Sequence, residues 1–344
     1  MALAPNPGLV ASCVSIFQLR VGMATRTGSD NPLSLFFEHQ GVLILDGGLA
    51  TTLESRGHDL NDELWSAKVL LEAPDAIKHV NLDFLAAGAD CIATATYQAS
   101  LTGLQKRGMS EGEALEVISQ SVRLAVEARD AFWSEPANRK GRVRPLVAAS
   151  VGPYGAFLAD GSEYTGDYDL SDGELYKFHR ARWHLLAESE ADLLACETIP
   201  SRREASVLLR LLRETPAHWA WLSFSCRDDA HVSDGSRLVD VARDCDAEPR
   251  VAAVGINCTA PEYVSNLISE ARQGTTKPLI VYPNSGEMYN AKTKTWSTGP
   301  SPIDWEEAAA DWVRLGASGV GGCCRIGPEQ IAGVRSRLVP GDGS

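Results

Sequence analysis

The stretch Val251-Ala-Ala-Val-Gly-Ile-Asn-Cys-Thr259 is apolar on both faces a strand would present, and it ends on a thiol and a hydroxyl. Continuous rather than alternating apolarity marks a parallel strand covered on both sides. Seven further β-type runs accompany it: Val42–Gly48, Cys91–Gln98, Leu146–Pro153, Asp192–Pro200, Trp219–Arg227, Leu279–Ser285 and Gly319–Ile326. Helix-type runs separate them. In Glu111–Trp133 the residues Leu115, Ile118, Val122, Ala125 and Arg129 recur at helical spacing and form one mostly apolar stripe. Capping-box pairs predict helix starts at Ser110/Glu113, Ser171/Glu174, Ser201/Glu204 and Thr259/Glu262, and first-turn prolines predict others at Pro74, Pro302 and Pro328. Eight β/α units over about 300 residues match the rhythm of a (β/α)8 TIM barrel, an α/β fold. An open doubly wound sheet is the alternative. It lacks its dinucleotide signature, because Asp46-Gly-Gly-Leu-Ala-Thr51 has its glycines too close together and no third one.

Of the 344 residues, 44% are hydrophobic and 22% charged, ordinary values for a globular enzyme. The formal charge of −13 argues against nucleic acid or an anionic membrane surface as partner. No apolar run reaches the roughly 18 residues a membrane-spanning helix needs. Eight cysteines are scattered without the framework of a small secreted domain, which points to reduced thiols and a cytoplasmic protein. Cys91, Cys196 and Cys226 lie in apolar runs and read as small buried hydrophobes. In the first 23 residues the apolar run Val10–Val21 has no cation before it, unlike a signal peptide, and Met23 reads as a second possible start. The expected organisation is an N-terminal extension over 1–40, partly disordered, a single barrel domain over 41–338 and a short tail over 339–344. Two long connections after strand ends, Tyr154–Asp169 and Gly286–Pro300, are candidates for substrate walls.

A parallel barrel gathers the C-terminal ends of all its strands on one face. Cys258 ends the sixth run, and Gly321-Gly-Cys-Cys-Arg325 ends the eighth. Adjacent thiols are poorly placed to pair with each other, because a vicinal disulfide strains the peptide between them. Two preceding glycines permit a turn that would aim both at one ion. With Cys258 they form a candidate three-thiolate site, whose softness favours Zn2+ over hard cations. None of the seven histidines ends a run near these cysteines, so a fourth position is left for substrate, as in catalytic zinc sites. Reduced core cysteines are the alternative reading. Such a site suits activation of a thiol for alkyl transfer more than hydrolysis. Asp46 ends the first run and Glu197 the fourth, placing two acids on the same face, with helix caps or satisfied rim residues as the alternative.

Five motifs carry a resemblance. Asp46-Gly-Gly, Cys196-Glu-Thr-Ile-Pro200, Gly255-Ile-Asn-Cys-Thr259, Tyr282-Pro-Asn-Ser-Gly-Glu287 and Gly321-Gly-Cys-Cys-Arg325, in that order, resemble the homocysteine S-methyltransferase family over about residues 40–337. Ser150-Val-Gly-Pro-Tyr-Gly-Ala156 and Gly-Ser-Glu-Tyr-Thr-Gly over 161–166 look like the members that use S-methylmethionine. The resemblance implies a zinc-containing (β/α)8 barrel that methylates the sulfur of homocysteine to give methionine. It makes Cys258, Cys323 and Cys324 the zinc ligands, and gives Asp46 and Glu197 the homocysteine amino group to bind. Within the class, S-adenosylmethionine or betaine as donor and selenocysteine as acceptor stay open. Outside it, a metal-dependent barrel hydrolase and a zinc or thiol redox sensor are the rivals. The partners so implied are small molecules, and the sequence leaves the oligomeric state open.

Overall fold

The computed structural model describes residues 30–60, 66–286, 289–290, 295–296 and 303–340. All eight expected runs form strands, each shorter than its apolar run because the run continues into the rim. They are β1 (Leu43–Ile44), β2 (Cys91–Ala93), β3 (Leu146–Val151), β4 (Leu193–Ile199), β5 (Ala220–Phe224), β6 (Val251–Asn257), β7 (Leu279–Tyr282) and β8 (Gly319–Val320). Every pairing is parallel, in the order β1-β8-β7-β6-β5-β4-β3-β2. A parallel bridge between Leu45 and Cys91 joins the two ends, so the sheet closes into a (β/α)8 barrel.

Closure divides the core in two. Ile44, Ile92, Val147, Leu194, Leu222, Val254, Val281 and Val320 point outward and pack under the helices together with Phe84, Ile118 and Leu208. Leu45, Cys91, Ala148, Ala195, Trp221, Ala253 and Ile280 point inward and fill the barrel. Both faces are therefore buried, which is why the strands read as continuously apolar.

Residues Ser34–Gln40, assigned to the leading extension by sequence, form a helix that stoppers the barrel floor. Leu33 and Phe36 are fully buried among the inward-facing residues, and the Asn31 side-chain amide donates to the Ala252 carbonyl at the foot of β6 (2.7 Å). Their burial completes the hydrophobic interior, at roughly 1.5–3 kcal/mol for each large side chain. Asp90, fully buried, ties floor to wall. It accepts from Gln40, the Ile44 amide and Arg335 of the Pro328–Leu338 helix, at 2.5, 3.0 and 2.8 Å.

Helix starts at Ser110 and Ser171 have complete capping boxes, as their sequences predict. At Ser201 only half the box forms: Ser201 caps the Glu204 amide, but the Glu204 side chain turns away to other partners. Thr259 is not a cap. The helix Pro261–Arg272 starts one residue later, on Ala260, and the Thr259 hydroxyl accepts from the Cys226 amide instead. Pro74 and Pro328 open their helices as expected. Pro302 lies outside the described residues, and its helix begins at Trp305 on an Asp304 cap. Of the connection 286–300, Tyr289–Asn290 pairs antiparallel with Thr295–Trp296, and residues 287–288, 291–294 and 297–300, Glu287 among them, lie outside the described residues. So do residues 1–29 and 341–344 of the two expected tails.

Candidate metal centre

At the C-terminal mouth the eighth and sixth strands bring three thiols together. The Cys258 and Cys324 sulfurs are 3.9 Å apart, those of Cys323 and Cys324 are 4.0 Å apart, and all three lie within 4.8 Å of one another. Tetrahedral zinc with Zn–S bonds of about 2.3 Å requires S···S separations of about 3.8 Å. The donor set and its spacing therefore fit a soft divalent ion. The thiols interact strongly even alone: hydrogen bonds from Cys323 and Cys324, with Thr198 and Tyr164 adding theirs, hold Cys258 low, and its thiolate in turn pushes the other two up. Of the eight cysteines, the seven described are unpaired.

The local backbone explains how the sulfurs converge. Cys258 and Arg325 both adopt left-handed conformations, with φ of 46° and 69°, and Thr198 follows Glu197 with φ of 59°. Only one other non-glycine residue among those described does so. Each such residue costs on the order of 1 kcal/mol and persists where its surroundings over-determine it. For Thr198 the determinant is Asn257, fully buried at the end of β6. Asn257 Oδ1 accepts from the Thr198 amide (2.8 Å) and from Ser223 (2.7 Å), while its amide nitrogen donates to Thr198 Oγ1 (2.7 Å). For Arg325 it is Thr51, whose hydroxyl accepts the Arg325 amide at 2.8 Å.

Gly321 and Gly322 serve a purpose different from the turn expected of them. Neither has positive φ. They are needed for close approach: a Cβ on Gly321 would stand 2.6 Å from Leu45 Cβ, and one on Gly322 would stand 2.2 Å from Ile326 Cγ2. Gly47 and Gly48 face them from the segment after β1, where added Cβ atoms would meet the Ile326 and Cys323 carbonyl oxygens at 2.5 and 2.7 Å. Backbone bonds stitch the two ends together, Gly48 to the Ile326 carbonyl (2.8 Å) and Gly322 to the Asp46 carbonyl (2.9 Å). The Gly48 amide is thus committed to the fold rather than offered to a ligand. Tyr282–Ser285 straps the cysteine loop from the other side, since Pro283 accepts from the Cys323 amide and Cys324 from the Ser285 amide, at 2.8 and 3.2 Å.

Beside the sulfurs lies a cavity of about 120 Å³, and both expected acids line it. Asp46 accepts from the Ala93 amide at 2.7 Å, and burial raises its carboxyl from 3.8 to about 7. Glu197 accepts from the Ser150 hydroxyl, and burial together with the charge of Asp46 raises it from 4.5 to about 8. Tyr282, itself bonded to the Trp221 indole (3.1 Å), offers Glu197 a further hydrogen bond. Burial raises both carboxyls and the charge of Asp46 adds to the rise at Glu197, so the pair is suited to a cation. Tyr97, Tyr164 and Trp221 supply aromatic wall. Sequence reasoning missed Thr198, Asn257 and Glu163, a third acid of the cavity. All three stood inside motifs already singled out, Glu163 within Gly-Ser-Glu-Tyr-Thr-Gly over 161–166, but none was given a role there.

The family model described as Homocysteine S-methyltransferase matches residues 43–338. A homocysteine S-methyltransferase of Bacillus subtilis, YbgG, is 50% identical over 301 residues, covering 88% of this chain and 96% of that protein. The homocysteine S-methyltransferase of Escherichia coli is 46% identical over 309 residues, or 90% of this chain and 99% of that one. Among solved structures, the metallated form of the homocysteine methyltransferase MmuM from Escherichia coli superposes with a TM-score of 0.81 at 44% identity, over 89% of this chain and 100% of that chain.

Proposed function

The chain belongs to the homocysteine S-methyltransferase family and is a methyltransferase, and from that premise we propose a zinc-dependent enzyme that moves a methyl group from S-methylmethionine to homocysteine. The observation that carries this reading is the convergence of the Cys258, Cys323 and Cys324 sulfurs beside a cavity walled by Asp46 and Glu197. The three cysteines would hold the metal. When bound, zinc supplies a soft Lewis acid that lets a thiol ionise near neutral pH.

The residues of the chain do the rest. Asp46 and Glu197 receive the α-ammonium of homocysteine, and its charge draws both carboxyls into their ionised forms. Thr198 and Tyr164 hydroxyls orient the Cys258 sulfur. Apolar and aromatic surface of the cavity keeps water from the reacting atoms, so that a positioned sulfur lone pair attacks the methyl carbon in line. The carbon–sulfur bond of the sulfonium breaks, its electron pair stays on the donor sulfur, and the thiol proton leaves to solvent. Both products are then methionine. A sulfonium leaving group needs no acid to protonate it, in keeping with a cavity that no histidine lines among the described residues. A cytoplasmic setting, which keeps thiols reduced, agrees with the unpaired cysteines. No described helix is long and apolar enough to cross a membrane.

The test is methionine formation from homocysteine with S-methylmethionine, S-adenosylmethionine and betaine compared by kcat/KM, with metal content measured on the same preparations and selenocysteine tried as acceptor. S-Methylmethionine should lead, with one zinc per chain, and Cys258→Ser, Cys323→Ser and Cys324→Ser should each lose metal and activity together. A zinc-free preparation that still methylates homocysteine would overturn the metal assignment, and a higher kcat/KM for either other donor would overturn the donor.

A further inference from the structure

Glu163 is the third acid of the cavity, and nothing in the chemistry above uses it. It is 7% exposed, and its Oε2 is buried with no hydrogen-bond partner among the described residues. The Gly161 and Glu163 backbone amides serve the carboxyl group from the loop side. The loop itself is firmly held. Gly155 packs against the Glu163 amide so closely that a Cβ would stand 2.3 Å away, and the Glu163 carbonyl accepts from Ser225 at 2.9 Å. Both ends of the segment are pinned to one fully buried carboxylate, Glu204, which accepts from the Tyr154 amide (2.7 Å) and from the Tyr168 hydroxyl. A side chain so fixed, with one oxygen left bare, carries a desolvation cost that a ligand relieves.

The cavity indicates which ligand. It is lined by three acids and, among the described residues, by no lysine or arginine, so the ligand is a cation. The acids come from different parts of the mouth, Asp46 and Glu197 from the ends of β1 and β4 and Glu163 from the loop after β3. Two amino-acid substrates, each with an α-ammonium group, need two such places. A bare carboxylate oxygen calls for an N–H donor, which an ammonium group has and a sulfonium or quaternary nitrogen lacks. A carboxylate set on the sulfonium itself would favour the charged reactant over a transition state in which that charge is being lost. On the remote ammonium it binds the donor without opposing the reaction.

We propose that Glu163 binds the α-ammonium group of an amino-acid sulfonium donor and so selects such donors over cations without N–H. This rests on the sulfonium-donor reading above. The probes are S-methylmethionine and S-adenosylmethionine, which carry that ammonium, and dimethylsulfoniopropionate, a sulfonium carboxylate without it. Each is measured on the metal-loaded enzyme as donor or as competitor, and S-methylmethionine binding is also measured by calorimetry. In the wild type, S-methylmethionine should bind at least tenfold tighter than dimethylsulfoniopropionate. Glu163→Gln, nearly isosteric, should weaken S-methylmethionine by roughly 10- to 100-fold, the worth of one hydrogen bond to a charged group. It should leave dimethylsulfoniopropionate and the KM for homocysteine within about threefold. Should S-adenosylmethionine respond as S-methylmethionine does, the ammonium site serves both donors; should it be untouched, the site is particular to S-methylmethionine. Equal weakening of all three sulfoniums, or a raised KM for homocysteine with the donor unaffected, overturns the assignment. If Glu163→Gln does not fold, the wild-type preference alone decides, and its absence refutes the proposal. A wild type that accepts a methyl group from no sulfonium overturns the donor reading as well, whereas one that uses S-methylmethionine without these differences overturns only the role of Glu163.

Discussion

Replacing Glu197 by Gln should separate stability from binding. Burial and Asp46 raise the Glu197 carboxyl from 4.5 to about 8 in the metal-free, substrate-free fold. At about 1.36 kcal/mol per pKa unit, ionising this group inside the fold costs up to roughly 5 kcal/mol more than ionising it in the unfolded chain. That is an upper figure, because part of the side chain reaches the cavity. The folded value lies above the unfolded one, so the folded protein holds the proton more tightly. The stabilisation it contributes is therefore complete below about pH 4.5 and is lost as pH rises through about 8. Asp46, raised to about 7, has the same sign over a lower window. Glu197→Gln keeps the size and the hydrogen-bonding edge of the neutral acid. In metal-free protein it should leave the melting temperature near pH 5 unchanged within a degree or two and flatten its fall between pH 6 and 9. Homocysteine binding should suffer, because the amide cannot become the anion that pairs with an ammonium. A loss of roughly 10- to 100-fold in kcat/KM for homocysteine is expected, and the wild-type KM for homocysteine should fall between pH 6 and 8 as both acids ionise. Calorimetric melting across pH, with and without homocysteine, reads both effects. A variant whose melting temperature falls with pH as steeply as the wild type would refute the reasoning.

Gly322→Ala forces a Cβ to within 2.2 Å of the Ile326 side chain and should cost about 1–3 kcal/mol, with weaker zinc retention in a chelator competition because Ile326 closes the cysteine turn. Asn257→Ala removes three hydrogen bonds, two of which hold Thr198 left-handed and the third of which comes from Ser223. It should lower both the melting temperature and kcat, whereas loss of stability with kcat intact would deny Asn257 a positioning role. Arg335→Ala strips the buried Asp90 of a cationic partner at 2.8 Å and should destabilise by about 3–5 kcal/mol in urea unfolding, without altering metal content of the folded fraction.

Much of the barrel was legible in the chain because both faces of a parallel barrel strand are buried, so each strand announces itself as an uninterrupted apolar run. The thiols and two acids were legible too, since the ends of parallel strands must share one face, and residues 258 and 323–324 need no short spacing to meet there. Closure itself was not legible: it rests on the Leu45–Cys91 bridge, a contact between the first and second strands that an open sheet would lack. Nor was the floor helix, because Leu33 and Phe36 become core only when a barrel bottom exists to receive them. The reason for Gly321 and Gly322 was misjudged from sequence, since a turn and a close approach select the same residue and only neighbouring atoms tell them apart. Glu163 shows the limit most clearly. In the chain it is one acid within the Gly-Ser-Glu-Tyr-Thr-Gly motif, and its bare oxygen is a property of what surrounds it, which local sequence does not encode. Sequence alone thus determined which residues reach the mouth of the barrel, whereas tertiary packing decided which of them are left wanting a ligand.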